Sequence, residues 1–208
     1  MNSGRLSNGH LPYCKSEAKG RGASAACYHR VMKTLVDIDL LDDEALQGQM
    51  AMDSLWIVLA GVALGIIAAI GLPRETVTPW WFAQLGAVSL LALPVHELVH
   101  AAAFKLLSKG TARLAFGFSN WMLYTTAAGT RLPRKAFCVV LLAPAVVVTS
   151  ALGVGAWLLG RPLLGWFLAV VHLAGCTGDM GYVRVIVSEP EAAIVEDTER
   201  GITLYAKE

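Results

Sequence analysis

Charged residues are scarce in this sequence, and acidic residues are almost missing from its second half. Of the 208 residues, 16% are charged and 55% are hydrophobic, whereas soluble domains carry about 25% charged residues. Between Glu97 and Glu189 the single acidic residue is Asp179. A surface so poor in carboxylates suits hydrocarbon rather than water, so we expect an integral membrane protein in contact with a lipid bilayer.

Closely spaced cysteine pairs and basic patches interleaved with aromatic residues are also missing. The four cysteines are irregularly spaced and lack the CxxC spacing of structural zinc sites, so no disulfide framework is indicated. Cys138 and Cys176 lie in apolar segments, where cysteine commonly packs as a small hydrophobic residue. Without a basic patch, nothing indicates that the protein binds nucleic acid.

Four apolar stretches are long enough to cross a membrane, or nearly so, since a hydrocarbon core of about 30 Å needs about 20 residues. They are residues 54–72, residues 76–95 continuing to about 107, residues 136–160, and residues 162–178 continuing to about 187. Glycines within them allow close contacts between helices. The expected fold is therefore mainly α, a four-span membrane helix bundle.

The flanking segments differ in composition from this membrane-embedded domain, which we place at residues 54–190. Residues 1–33 are predicted to be disordered, and residues 34–53 form an acidic juxtamembrane segment that we expect to be a short amphipathic helix. The link at 111–132 contains partial alternation and many β-formers, which predicts a short β-hairpin between spans two and three. The C-terminal segment, residues 191–208, is predicted to contain a small β element.

Basic residues near the span ends predict the orientation in the membrane. The link between the second and third spans holds six of them, and each of the other two links holds one: Lys105, Lys109, Arg113, Arg131, Arg134 and Lys135, against Arg74 and Arg161. The basic link is expected in the cytoplasm, which places both termini there as well.

The second span contains the sequence His96-Glu97-Leu98-Val99-His100, an HExxH motif. Residues four apart lie on one face of a helix, so His96 and His100 can share one metal ion, with Zn²⁺ the expected cofactor. Glu97 can then contact a water on that metal without binding the metal itself, which is the position of a general base. Ionisable groups in an apolar span indicate function.

A zinc hydrolase needs a third protein ligand, and Asp179 is the natural candidate. His96 and Asp179 each lie 16 residues from the outer end of their spans, near Trp80 and Leu163, so we expect them at similar depth. The alternatives for Asp179 are an ion pair with Arg184 or the capping of a helix break.

Three further residues are weaker candidates. His172 lies two helical turns before Asp179, and it is interpreted as a residue that supports the ligands, as a packed histidine, or as an alternative ligand. Asn120 and Tyr124 in the predicted hairpin are candidates for binding the substrate backbone, although each is also an ordinary loop residue type.

These motifs resemble those of the putative zincin peptidase family of small bacterial membrane proteins, over roughly residues 90 to 206. The resemblance is carried by the HExxH helix, the basic link with β-formers, the Ala143-Pro144 helix and Gly178-Asp179. The chain is also distantly similar to the site-2 protease class of intramembrane metalloproteases, although that class shows Asp-Gly where this chain has Gly-Asp. The resemblance implies His96, His100 and Asp179 as zinc ligands and Glu97 as catalytic base, in a bacterial cell membrane.

Three functions follow as hypotheses. The first is a zinc-dependent metalloprotease that cleaves a membrane-associated peptide or protein. The second is a non-catalytic membrane protein that uses the same residues as a structural or regulatory metal site. The third is a small metal or proton transporter, which four spans without an internal repeat make less favourable.

Overall fold

The computed structural model describes residues 33–39, 43–71, 75–119 and 122–206. Most of the predicted disordered tail lies outside the described residues, and so does Asn120. The described part is mainly helical, as predicted, with five helices and two small antiparallel sheets. In chain order the elements are β1 (Thr34–Asp39), α1 (Glu44–Gly71), α2 (Pro79–Leu107), β2 (Ala115–Ser119), β3 (Met122–Thr126), β4 (Arg131–Pro133), α3 (Arg134–Leu158), α4 (Pro162–Gly175), α5 (Thr177–Ser188), β5 (Ala192–Asp197) and β6 (Gly201–Ala206).

Helices α1, α2 and α3 are each long and apolar enough to cross a membrane. The consecutive helices α4 and α5 meet that test together, which gives up to four spans and indicates a multi-pass membrane protein. Large apolar side chains remain exposed on the bundle; Ile70, for example, is 86% exposed. In water such surfaces would favour aggregation, whereas in lipid they need no partner.

The predicted fourth span is bent by 49° between α4 and α5. The sequence predicted one continuous apolar span over residues 162–187, and the structure has two separate helices joined at Cys176. Gly175 and Gly178 flank this position, and glycine is a poor helix former. Because of the break, Asp179 lies in the first turn of α5, where free backbone N–H groups favour a carboxylate.

At one end of the bundle, Glu75 joins the link before α2 to the link before α4. One carboxylate oxygen accepts hydrogen bonds from Arg161 Nε at 2.5 Å and from the Trp81 indole at 2.9 Å. The other oxygen accepts from the backbone N–H groups of Leu163 and Leu164 at 3.0 and 3.2 Å. Burial alone raises the pKa of Glu75, but these hydrogen bonds and the charge of Arg161 hold that pKa below its ordinary value. The two links are therefore fixed to each other.

At the opposite end, a four-stranded antiparallel sheet in the order β1-β6-β5-β4 covers the helix ends. Its apolar face and the helices form one buried core that includes Phe104, Phe137, Ile186, Val195 and Leu204. The predicted C-terminal β element is present as the β5–β6 hairpin. The predicted hairpin between spans two and three is present as β2 and β3, which form a separate two-stranded sheet.

The expectation of an amphipathic helix near residues 34–53 is wrong for its first part. Residues 34–39 form β1, which pairs with β6, because apolar β-formers alternate there with aspartates and a partner strand is available. Helix α1 begins at Glu44, after Asp43 accepts a hydrogen bond from the backbone N–H of Leu46 at 2.9 Å. This capping bond separates the strand segment from the helix.

Candidate metal centre

The HExxH motif lies within the unbroken helix α2, so its two histidines project from one face as predicted. The Nε2 atoms of His96 and His100 are 3.1 Å apart. On its other side, His100 Nδ1 lies 3.1 Å from the carbonyl oxygen of Val140 in α3. A hydrogen bond donated by Nδ1 to that carbonyl leaves the lone pair on Nε2 free for a metal, an arrangement common among metal-binding histidines.

Asp179 completes a three-residue group with these histidines. One carboxylate oxygen faces each histidine: Oδ2 lies 3.3 Å from His96 Nε2, and Oδ1 lies 3.3 Å from His100 Nε2. Zinc bonds of about 2.0–2.1 Å in a tetrahedron place ligand atoms about 3.4 Å apart, which is close to the separation of the two nitrogens and to the distance from each nitrogen to its facing oxygen. The donor set therefore suits Zn²⁺, and a fourth position is left for a water or a substrate.

The sequence left two other interpretations open for Asp179. An ion pair with Arg184 is not formed, because Arg184 donates to Asp53 in α1 at 2.7 Å. Asp179 does lie in the first turn of α5, after the helix break, and its carboxylate faces the two histidines. The predicted equal depth of His96 and Asp179 agrees with the 3.3 Å distance between their side chains.

His172, in α4, lies against the opposite side of the His96 ring. Its Nε2 is 3.3 Å from His96 Nδ1, and its Nδ1 is 2.8 Å from the hydroxyl oxygen of Thr149 in α3. With a proton on each Nδ1, His96 donates to His172 and His172 donates to Thr149. This chain of hydrogen bonds directs the free lone pair of His96 towards His100 and Asp179.

Cys176 is a neighbour of the site that the sequence analysis treated only as a packing residue. Its sulfur lies 3.8 Å from His96 Nδ1 and 3.7 Å from His172 Nδ1. His96, His172 and Cys176 thus form a second group with the spacing of metal ligands. The signal available in the sequence was the spacing of four between His172 and Cys176, which places both on one helix face.

Glu97 is partly buried beside the two motif histidines and is close enough to His100 to interact with it electrostatically. Its main-chain carbonyl oxygen accepts a hydrogen bond from the hydroxyl of Thr125 in β3 at 3.0 Å. The hairpin is thereby attached to the motif at its acidic residue, a contact that no local sequence pattern indicated.

Of the two hairpin residues proposed for substrate binding, only Tyr124 lies in the described part of the chain. It faces Gly117 across the β2–β3 pair, and its ring occupies the space that a side chain at position 117 would take. The Tyr124 side chain is 40% exposed. It therefore has a packing role in the hairpin, and part of its surface remains accessible.

The comparisons with known proteins agree with these motifs. A family model with the description "Putative zincin peptidase" matches residues 89–194, just over half of the chain, from the middle of α2 into β5. The curated proteins and the solved structures contain no significant match. The matched region includes the HExxH motif, the hairpin, His172, Cys176 and Asp179. The chain belongs to the putative zincin peptidase family.

Proposed function

We propose that the protein is a zinc-dependent metalloprotease that hydrolyses peptide bonds in or near a membrane. The observation that carries this proposal is the convergence of His96, His100 and Asp179 at the spacing of tetrahedral zinc ligands, with Glu97 beside them. Membership in a zincin family implies zinc as the metal.

In this proposal each residue has a separate role. His96, His100 and Asp179 hold the ion, which when bound supplies a Lewis acid and lowers the pKa of a water to about 7. Glu97 accepts the proton of the attacking water as general base and delivers it to the leaving amine. Val140 and His172 orient the two imidazole rings through their Nδ1 atoms.

The substrate is proposed to be a membrane-associated peptide or protein that binds in extended form. A helical peptide hides its carbonyl groups in backbone hydrogen bonds, so a segment must unwind before its peptide bond can be attacked. Addition of that segment as a strand to the β2–β3 hairpin would keep it extended. Thr125 supports this idea, because it brings β3 against Glu97. Tyr124 and Asn120 remain candidates for contacts with the substrate backbone.

We further propose a bacterial cell membrane as the location, with both termini in the cytoplasm. The sheet that contains β1, β4, β5 and β6 lies at the end of the bundle where α2 ends and α3 begins. The link with the excess of basic residues is at this same end, and such links remain cytoplasmic. The metal centre would then open towards the cytoplasmic half of the bilayer.

Glu97→Gln tests this function, because the amide keeps the size of the side chain and cannot accept a proton. We expect zinc binding to be retained and hydrolysis of membrane-protein-derived peptides to fall on the order of 10²–10⁴-fold. A structural or regulatory metal site predicts no change in any activity with the Glu97→Gln variant. Zinc-dependent ion flux in liposomes, unaffected by this substitution, would instead support transport.

A further inference from the structure

Cys176 is fully buried at the break between α4 and α5, with two imidazole rings beside its sulfur. Its thiol is also 3.2 Å from the carbonyl oxygen of His172, a weak hydrogen bond that a packed cysteine commonly makes one turn along a helix. Packing alone does not require two histidine nitrogens near the sulfur. The neighbours of Cys176 are those of a metal ligand.

The separations fit a thiolate-containing site. Zinc bonds of about 2.3 Å to sulfur and about 2.0–2.1 Å to nitrogen place a sulfur and a nitrogen ligand about 3.6 Å apart. The observed distance from Cys176 Sγ to His96 Nδ1 is 3.8 Å, and one ligand atom from each of His96, His172 and Cys176 lies within 4.8 Å of the other two. His96 Nδ1 and His172 Nε2 are 3.3 Å apart, close to the value for two nitrogen ligands. Thr149 holds His172 Nδ1, which leaves the Nε2 lone pair facing His96.

We propose that His96, His172 and Cys176 form a second metal site, which binds a thiophilic d¹⁰ cation such as Zn²⁺, Cd²⁺ or Cu⁺ and alternates in occupancy with the catalytic set. Sulfur ligands select these ions. Binding forms a bond between the metal and Cys176 Sγ and releases the thiol proton to water, without any change in oxidation state. Metal binding here does not depend on peptidase activity.

The alternation follows from the single residue that the two sets share. A neutral imidazole has one lone pair, so His96 ligates through Nε2 in the catalytic set or through Nδ1 in the second set. The proton on the other nitrogen decides which set His96 serves. A metal in the second set leaves His100 and Asp179 without their third ligand, so this state is inactive if the proposed function is correct.

Cadmium absorption tests this site, because a bond between thiolate and cadmium gives a charge-transfer band in the ultraviolet. The full chain is purified in detergent with Cys14, Cys27 and Cys138 replaced by serine, so that Cys176 is the only thiol, and is then freed of metal. We expect Cd²⁺ to produce the band, with saturation at one ion per chain. The band should be absent after Cys176→Ser and kept after Asp179→Asn. His172→Ala should weaken the affinity by at least about tenfold.

If the protein with Cys176 as its only thiol gives no band on addition of Cd²⁺, the proposed site is wrong. A band whose Cd²⁺ affinity is unchanged by His172→Ala would also overturn it. Size-exclusion chromatography shows whether each variant keeps the fold. Total metal measured with Zn²⁺ and Cd²⁺ together tests the alternation: one ion per chain supports it, and two ions per chain refute it. The hydrolysis assay on Glu97→Gln is separate, so failure of the peptidase proposal and failure of this site give different results.

Discussion

The hydroxyl of Thr125 donates a hydrogen bond to the main-chain carbonyl of Glu97, with the two oxygens 3.0 Å apart. Strand β3 is thereby attached to the one acidic residue of the HExxH motif. A peptide bound along the β2–β3 hairpin would consequently lie at a fixed distance from the proposed general base. If the proposed function is correct, this contact couples the position of the substrate to the position of the general base.

Thr125→Val should lower peptidase activity by about fivefold, because a neutral hydrogen bond contributes about 1 kcal/mol and its loss loosens the hairpin on α2. Valine keeps the β-branched shape that favours a strand. Zinc content should not change, since the ligands are untouched. Thr111→Val is the matched control: Thr111 is an exposed threonine after α2 whose hydroxyl bonds Ser108. Equal activity in the Thr125 and Thr111 variants would contradict a positioning role for the hairpin.

Glu75→Gln should destabilise the protein by about 2–3 kcal/mol, because it removes a charge that accepts several hydrogen bonds, one from Arg161. The Glu75 side chain is 6% exposed, so water compensates little for the lost bonds. The check is the midpoint of thermal unfolding in detergent, beside Glu191→Gln, an exposed glutamate in a turn. Because the folded pKa of Glu75 is lowered, its contribution is present above its ordinary pKa of 4.5 and is lost as the pH falls below that value. A melting midpoint no lower than that of Glu191→Gln would contradict this account.

Asp197→Asn should change stability in the opposite direction with pH. Burial raises the pKa of Asp197 to about 6 from its ordinary 3.8, although hydrogen bonds from Thr126 and Ala127 oppose the shift. The folded protein therefore holds this proton more tightly than the unfolded chain does. The stability that Asp197 contributes is fully present below 3.8 and is lost as the pH rises through about 6.

Asparagine does not ionise, so the difference between the variant and the wild type isolates this effect. We expect the variant to gain roughly 1–3 kcal/mol relative to the wild type as the pH rises across that window. Melting curves of both proteins at a series of pH values provide the measurement, with Glu199→Gln in the neighbouring turn as the control substitution. A difference that stays constant, or that falls as the pH rises, would show that the carboxylate is not disfavoured there.

The three residues of the candidate metal centre could be predicted from their spacing along the sequence. Helical periodicity places His96 and His100 together, and a rise of about 1.5 Å per residue places Asp179 at the same depth. The depth of Asp179 is still predicted despite the 49° bend between α4 and α5, because Asp179 follows the break at Cys176 by only three residues. The hairpin and the C-terminal β element were predictable from the alternation of side chains and the turn residues.

The remaining features depend on contacts between distant parts of the chain. The spacing of His172 and Cys176 suits a ligand pair and a packed helix face equally, and only the position of His96 distinguishes the two. Strand β1 has its partner, β6, at the far end of the sequence, so the short alternation of apolar residues and aspartates was not by itself enough to predict a strand there. The bend at Cys176 could not be predicted from Gly175 and Gly178 alone, because the packing of the surrounding helices determines how far the chain bends there.

The central claim is that His96, His100 and Asp179 bind one zinc ion. Metal content by mass spectrometry on the detergent-purified protein tests it most directly, with every variant carrying Cys176→Ser so that the proposed second site cannot hold the metal. His96→Ala and Asp179→Ala are compared with this parent protein, and Asp53→Ala is the control carboxylate. The account predicts about one zinc per chain in the parent and the control, and little zinc in either ligand variant. A parent protein without metal after mild purification, or full zinc in Asp179→Ala, would contradict it.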